Sequence, residues 1–278
     1  MIVTLLGTGS PLPDAQRAGP ATLVQAGGLN LLVDCGRGVA MRLAAAGIPG
    51  PPFLHQVLLT HLHSDHVTDF NDLVTMRWAM SMAPSPLPVA GPPGTGVFAD
   101  RTLEMLRDDI GYRLAHHDDL GWDPSCEVVE VLDDELHSEV LAAQGVQVLA
   151  APTDHRPVAP TVGYRITHEG RSVVCAGDTV PCAGLDRLVD GADVYVQTVV
   201  RDDLIRAIGL PRLVDVCDYH STVEQAATTA AKAGVRTLVL THMVPAPMPG
   251  DEQTWIDMAA EHFDGEIVLA SDLDRVEV

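Results

Sequence analysis

The stretch Thr60-His61-Leu62-His63-Ser64-Asp65-His66 constrains this chain more than any other, because it follows directly on the apolar run at 56–60. A run of that composition reads as a buried strand. Three imidazoles and a carboxylate therefore gather within six residues at the point where a strand leaves its sheet. At the chain's own His and Asp frequencies, H-x-H-x-D-H arises by chance in roughly two of a thousand such sequences. Imidazole nitrogen and carboxylate oxygen are the donors zinc prefers in hydrolytic sites, and a loop leaving a strand aims alternate side chains at two neighbouring ions. Four donors cannot close two metal sites, so further donors are expected at other strand ends.

They are present. His155 lies just after the apolar run at 146–151, Asp178 follows the run at 172–176 in Ala-Gly-Asp-Thr, and His242 follows the run at 237–241 in Leu-Thr-His. Each is an ionisable donor at the carboxyl end of a strand, where α/β proteins place their sites. Other strands are expected at 2–6, 22–25, 30–34, 161–167 and 193–198. Helical spacing predicts helices over 39–46 up to Gly47, over 67–82 up to Pro84, and over 96–110 up to Gly111. A further helix spans 221–234, with Ser221 or Thr222 as its cap, Glu224 or Gln225 three residues on, and Gly234 closing it. Strands and helices alternating through both halves argue for an α/β protein of two sheets covered by helices. The segment 108–139 is rich in Asp and Glu with Arg113 its only Lys or Arg, and reads as a solvated surface connection.

Composition narrows the function classes. With 278 residues, 46% of them hydrophobic, the chain can bury a full core. Its 17 Lys+Arg against 38 Asp+Glu leave a formal charge of −21, which repels nucleic acid and anionic membranes at long range. Lys232 is the sole lysine. Cys35, Cys126, Cys175, Cys182 and Cys217 form no C-x-x-C pair and read as thiols in a reducing compartment. No basic-then-apolar leader opens the sequence, and no run approaches the roughly 20 apolar residues of a membrane span. The expectation is a cytoplasmic protein with no membrane partner. His116-His117-Asp118-Asp119 lies in the acidic connection and is read as surface or rim, and His55, His137, His168 and His262 receive no role.

Thr-His-Leu-His-Ser-Asp-His, the lone His155, Gly-Asp-Thr and Leu-Thr-His resemble the five motifs of the metallo-β-lactamase fold, in that order over about 55–242. The opening Leu-Leu-Gly-Thr-Gly-Ser-Pro with Arg17, His220-Ser-Thr, and the closing Leu-Ala-Ser-Asp-Leu resemble more narrowly the ribonuclease Z branch and its arylsulfatase-like relatives. The resemblance implies a four-layer αββα sandwich, one domain over 1–278 with pseudo-related halves of about 1–155 and 156–278. It implies two Zn2+ per chain, the first held by His61, His63 and His155, the second by Asp65, His66 and His242, with Asp178 bridging. Asp65 would orient a hydroxide shared between the ions, and His220 would act as the second catalytic residue by protonating the leaving oxygen or stabilising its charge. Asp34 would support the histidine loop by hydrogen bonding. A homodimer is implied as well.

The chain departs from the ribonuclease Z pattern where that branch carries a protruding basic arm for the tRNA elbow. Here the passage from Tyr164 to Asp178 turns tightly, and Arg17 is followed by Ala18 where the branch shows Asn. Few phosphate contacts remain, which counts against tRNA and for a small anionic ester as the preferred substrate. The expected function is a binuclear zinc phosphodiesterase of ribonuclease Z type. The alternatives are an arylsulfatase-like ester hydrolase, a mononuclear iron oxygenase, and a non-catalytic metal-binding interaction module. Trp78, Met80, Met82 and the loop 243–249 are candidates for the rim of the pocket.

Overall fold

A computed structural model describes residues 1–131 and 138–278. In chain order its strands are β1 (Ile2–Gly7), β2 (Ala21–Ala26), β3 (Leu29–Val33), β4 (Gln56–Leu58), β5 (Leu87–Gly91), β6 (Cys126–Glu130) and β7 (Ser138–Ala143). They continue as β8 (Val146–Pro152), β9 (Val162–His168), β10 (Arg171–Cys175), β11 (Val194–Val200), β12 (Thr237–Val244), β13 (Glu266–Leu269) and β14 (Arg275–Glu277). The helices are α1 (Val39–Ala45), α2 (Ser64–Val67), α3 (Phe70–Met80), α4 (Thr95–Met105) and α5 (Arg107–His116). In the second half follow α6 (Ala183–Val189), α7 (Asp202–Ile208), α8 (Pro211–Val214), α9 (Val223–Ala233) and α10 (Glu252–Ala260).

Two seven-stranded sheets result, in the orders β14-β1-β2-β3-β4-β5-β6 and β13-β12-β11-β10-β9-β8-β7. Strand alternation explains how they stack. In β1, Val3 and Leu5 point into the layer between the sheets while Leu6 points to the helices outside. The inner layer is filled from both sides, by Leu31 and Val24 of one sheet and Val148, Tyr164, Val173 and Val196 of the other. Outside the first sheet lie Leu43, Phe70 and Ala99 of α1, α3 and α4. Outside the second lie Leu185, Ala227 and Trp255 of α6, α9 and α10. The fold is the four-layer αββα sandwich of the metallo-β-lactamase fold. Among the described residues no helix is long and apolar enough to cross a membrane.

Polar contacts lock the layers in place. Tyr164, fully buried on β9, donates its hydroxyl across the inner layer to the Leu59 carbonyl at 2.7 Å, one residue before the histidine loop. Asp272, after β13, accepts from the Thr8 amide at 3.0 Å, the Thr8 hydroxyl at 2.8 Å and the Ala18 amide at 2.7 Å. It also pairs with Arg42 at 3.0 Å, so the closing Ala-Ser-Asp segment clamps the loop after β1.

Five expectations are corrected in detail. The strand expected to 60 ends at Leu58, because the Thr60 amide turns to the Asp34 carboxylate at 2.8 Å instead of to a neighbouring strand. The helix expected over 67–82 begins only at Phe70, after the short α2. The helix expected over 96–110 breaks at Leu106, and Gly111 lies inside α5 rather than ending a helix. An exposed helix carries an interior glycine at a cost of about 1 kcal/mol, and Asp108 and Asp109 favour a new N-terminus there. The acidic connection is no plain loop: it holds α5, β6 and the start of β7, while 132–137, including His137, lie outside the described residues. The α9 cap is Thr222 paired with Gln225, and Ser221 instead donates to the Thr179 carbonyl at 2.7 Å.

Asp193 ties the strands of the second sheet together where they begin. Its carboxylate accepts from the Ser172 amide at 2.9 Å, Arg171 at 2.8 Å and Arg236 at 3.2 Å. Its carbonyl accepts from the Thr237 amide at 2.9 Å. Burial opposes ionisation, yet the Ser172 amide and the two guanidiniums hold its pKa below the ordinary value. A depressed folded value contributes stability that is present above the unfolded carboxylate range near ~3.9 and lost as pH falls through the folded value. Asp193→Asn should therefore lower unfolding free energy by about 1 kcal/mol at pH 7, and the deficit should shrink below about pH 4 in urea titrations.

Candidate metal centre

The seven donors expected at strand ends meet at one edge of the sandwich, where the two sheets face each other. They form two groups, His61, His63, His155 and Asp178 in one and Asp65, His66 and His242 in the other, with the donor atoms of each group within 4.8 Å of one another. All but His63 are buried. Asp178 lies at the junction: one carboxylate oxygen is 3.3 Å from His66 Nε2, 3.7 Å from His242 Nε2, and 3.9 Å from both His61 Nε2 and His155 Nε2.

Local folding explains why these nitrogens converge. Asp34 ends β3 in the left-handed region at φ 58° and carries the histidine loop from below. It accepts from the Thr60 amide at 2.8 Å, the Thr60 hydroxyl at 2.8 Å and His66 Nδ1 at 2.8 Å. The Thr60 oxygen, its proton given to Asp34, accepts from His61 Nδ1 at 3.0 Å. His155 Nδ1 donates to the Tyr219 carbonyl at 2.8 Å. With Nδ1 engaged in all three rings, Nε2 faces inward, the arrangement metal-binding histidines adopt. His242, at the end of the expected strand, also sits in the left-handed region, at φ 50°. Such a conformation costs of order 1 kcal/mol in a non-glycine residue and is typically retained where a side chain must be aimed.

The donor set fits divalent metal. His61 Nε2 and Asp178 Oδ1 are buried with no hydrogen-bond partner, and each would cost about 1–3 kcal/mol if nothing took its lone pair. His155 Nε2 and His63 Nδ1 lie 3.3 Å apart, close to the roughly 3.3–3.4 Å between two nitrogens bound at about 2.0–2.1 Å to one tetrahedral ion. His242 Nε2 and Asp65 Oδ2 are 3.1 Å apart, a similar spacing in the second group. Electrostatics favour donors that are already deprotonated in the first group. Burial lowers His63, pushes His155 down to about 4 and holds His61 well below its ordinary value. Burial opposes the charge of Asp178, but His242 and His66 more than offset it and hold the carboxyl well below the usual range.

His220 joins the group from the loop before α9. Its Nε2 is 3.2 Å from Asp178, and its Nδ1 donates to the Val216 carbonyl at 2.9 Å. Sequence reading assigned no role to Thr60, Tyr219 or Tyr164. Nothing in their local pattern marks them, since their contacts cross between distant strands. His116 and His117 stand exposed at the end of α5, away from the centre. The rim candidates Trp78, Met80 and Met82 are displaced too: this end of α3 packs on Gly50, Pro51 and Leu54, ahead of β4, whereas the donors follow β4. Trp78 is only 2% exposed. The loop 243–249 follows His242 directly along the chain.

One backbone position holds the two halves of the centre together. Gly177, at φ 66°, has the Thr60 side chain 2.7 Å from where a β-carbon would sit. Gly177→Ala should displace the Thr60 hydroxyl from Asp34 and His61, cost about 1–3 kcal/mol of stability and reduce bound metal, read by urea denaturation and elemental analysis of one preparation.

Comparison with known proteins agrees with this geometry. Residues 29–243 match the Beta-lactamase superfamily domain. A ribonuclease Z of Mycobacterium avium is 56% identical over 278 residues, covering 99% of this chain and 98% of that protein. The ribonuclease Z of Mycolicibacterium gilvum is 55% identical, covering 99% and 96%. Among solved structures, the short form of human tRNase Z superposes with a TM-score of 0.74 at 25% identity, covering 100% of this chain and 99% of that one. The metallo-β-lactamase fold protein YhfI of Bacillus subtilis shares the fold with a TM-score of 0.74 at 23% identity over 100% and 99%. The chain belongs to the beta-lactamase superfamily and, within it, to the ribonuclease Z family of metal-dependent hydrolases.

Proposed function

We propose that this chain is a two-zinc phosphodiesterase that cleaves precursor tRNA. The observation that carries this reading is the full-length identity of 56% to a protein named ribonuclease Z, joined to a complete set of seven donors in two groups. His61, His63 and His155 would hold one ion, Asp65, His66 and His242 the other, with Asp178 between them. When bound, such a pair supplies an activated water near neutral pH and neutralises charge on the phosphate. Burial opposes the charge of Asp65, but the neighbouring His242 and His66 rings more than offset it and keep the carboxylate ionised, so it would orient that water and accept its proton. His220 is held to the centre by Asp178, whose carboxylate more than offsets burial and raises its pKa, so it can give a proton to the leaving oxygen.

The missing arm carries less weight than the sequence suggests. Glu169 and Gly170, at φ 50° and 77°, close β9 onto β10 in a two-residue turn, so no arm leaves at this point. Yet the M. avium protein is covered over 98% of its length by this chain, which leaves no room for a long arm there either. The turn therefore does not separate this chain from proteins of that name. The comparisons lend no support to a small ester as preferred substrate, and they do not favour the sulfate-ester reading. Family resemblance further supports a cytoplasmic homodimer.

His63→Ala and Asp178→Ala should lose both metal and cleavage of a precursor tRNA. His220→Ala should keep its metal and lose about 100-fold or more in turnover. Two zinc ions per chain by elemental analysis are expected. A zinc-loaded preparation that leaves precursor tRNA intact, or one iron per chain, would refute the reading.

A further inference from the structure

A groove of about 320 Å3 runs between the start of α3 and α4, and its near end is Ser64, the residue between the donors His63 and Asp65. Its floor is apolar, and Phe98 lies half-buried along it with its ring 5.0 Å from Phe70. Asn71 and Thr68 supply polar groups at the wall, and Arg101 stands exposed on the α4 side. An apolar cleft with a few convergent polar groups is the usual form of a small-ligand site.

Charge sets this groove apart from three other cavities of the surface. In a chain of 38 acids and 17 bases, most surface cations are neutralised by a neighbour: Arg113 by Asp109, Arg156 by Asp154, Arg206 by Asp202, Lys232 by Asp186. Among the described residues Arg101, like the exposed Arg37 and Arg212, has neither a carboxylate within 4.0 Å nor a side-chain hydrogen bond, but Arg101 alone of the three lines a surface cavity, and that lining contains no acid. Three other surface cavities each carry carboxylates, Asp119 in one, Asp186 and Glu224 in the second, Asp100, Glu104 and Asp123 in the third. An anionic ligand approaching this molecule meets an unopposed guanidinium here, one loop away from the metal donors.

We infer that this groove is a nucleotide subsite, in which Arg101 binds a phosphate of the RNA strand and Phe98 lies against a base, adjoining the scissile phosphodiester. The inference rests on the ribonuclease reading above. A guanidinium binds phosphate by paired charge-assisted hydrogen bonds, and an aromatic face accepts any base by stacking. The subsite provides grip on the substrate without a basic arm.

The test compares precursor tRNA with bis(4-nitrophenyl) phosphate, which reports on the metal centre and lacks the flanking nucleotide. In Arg101→Gln, the ratio of kcat/KM for RNA to kcat/KM for the small ester should fall about tenfold. The slope of log(kcat/KM) for RNA against log[salt] should become shallower by about 1. Phe98→Leu, which keeps bulk against Phe70, should lower the same ratio while leaving the salt slope as it is. A ratio and slope unchanged in Arg101→Gln would overturn the subsite alone. Wild-type protein that turns over the small ester but not RNA would overturn the ribonuclease reading, and the subsite with it.

Discussion

A single carboxylate sits at the centre of this molecule. Five imidazole nitrogens, from His61, His66, His155, His220 and His242, lie within 3.2–3.9 Å of one oxygen of Asp178, which is 3% exposed. An anion that deep is tolerated only if hydrogen-bond donors, cations or a metal ion face it. The five rings come from the loops after β4 and β8, the loop before α9, and the end of β12, so each sheet must deliver its strand ends to the same point. The Tyr164 hydroxyl bond to Leu59 fixes how far one sheet can slide over the other. Left-handed backbone at Asp34 and His242 then sets the final aim of the side chains.

What could be read from the sequence follows from this division of labour. Donors at strand ends are marked by their own chemistry, since His155, Asp178 and His242 each break an apolar run with an ionisable group. The αββα layering was legible because both halves alternate strand and helix, and the capping box of α9 because its parts lie three residues apart. Thr60 was not legible. Its hydroxyl works only because Asp34, 26 residues earlier, comes to lie beneath it, and the same contact cuts β4 short. Gly111 misled for the opposite reason: a glycine marks a helix end only where the backbone must turn left-handed, and α5 demands no such turn. The rim candidates failed because the residues of α3 lie at the wrong end of the strand, a fact of direction that hydropathy does not encode.

The charge of −21 divides in a similar way. The acids in excess of Lys and Arg, 38 against 17, set the long-range field, and that field repels a polyanion. The centre itself is built from five histidines and two acids, and divalent metal held there would make it locally cationic. Distance decides between the two influences. Beyond a Debye length of about 8 Å in physiological salt the acidic surface is screened, and at contact the centre dominates.

Asp272 and β14 give this fold an order of assembly. β1 pairs with β14 at Val3 and Val276, and the loop after β1 is clamped by Asp272, so the first strand stays half-partnered until nearly all of the chain exists. On a ribosome that adds about 5–20 residues per second, the histidine loop emerges well before Asp178 and His242. During that interval a nascent chain displays His61, His63 and His66 without the carboxylate that gathers them. The seven donors can therefore meet only once β12 has been made, because His242 is the last of them along the chain.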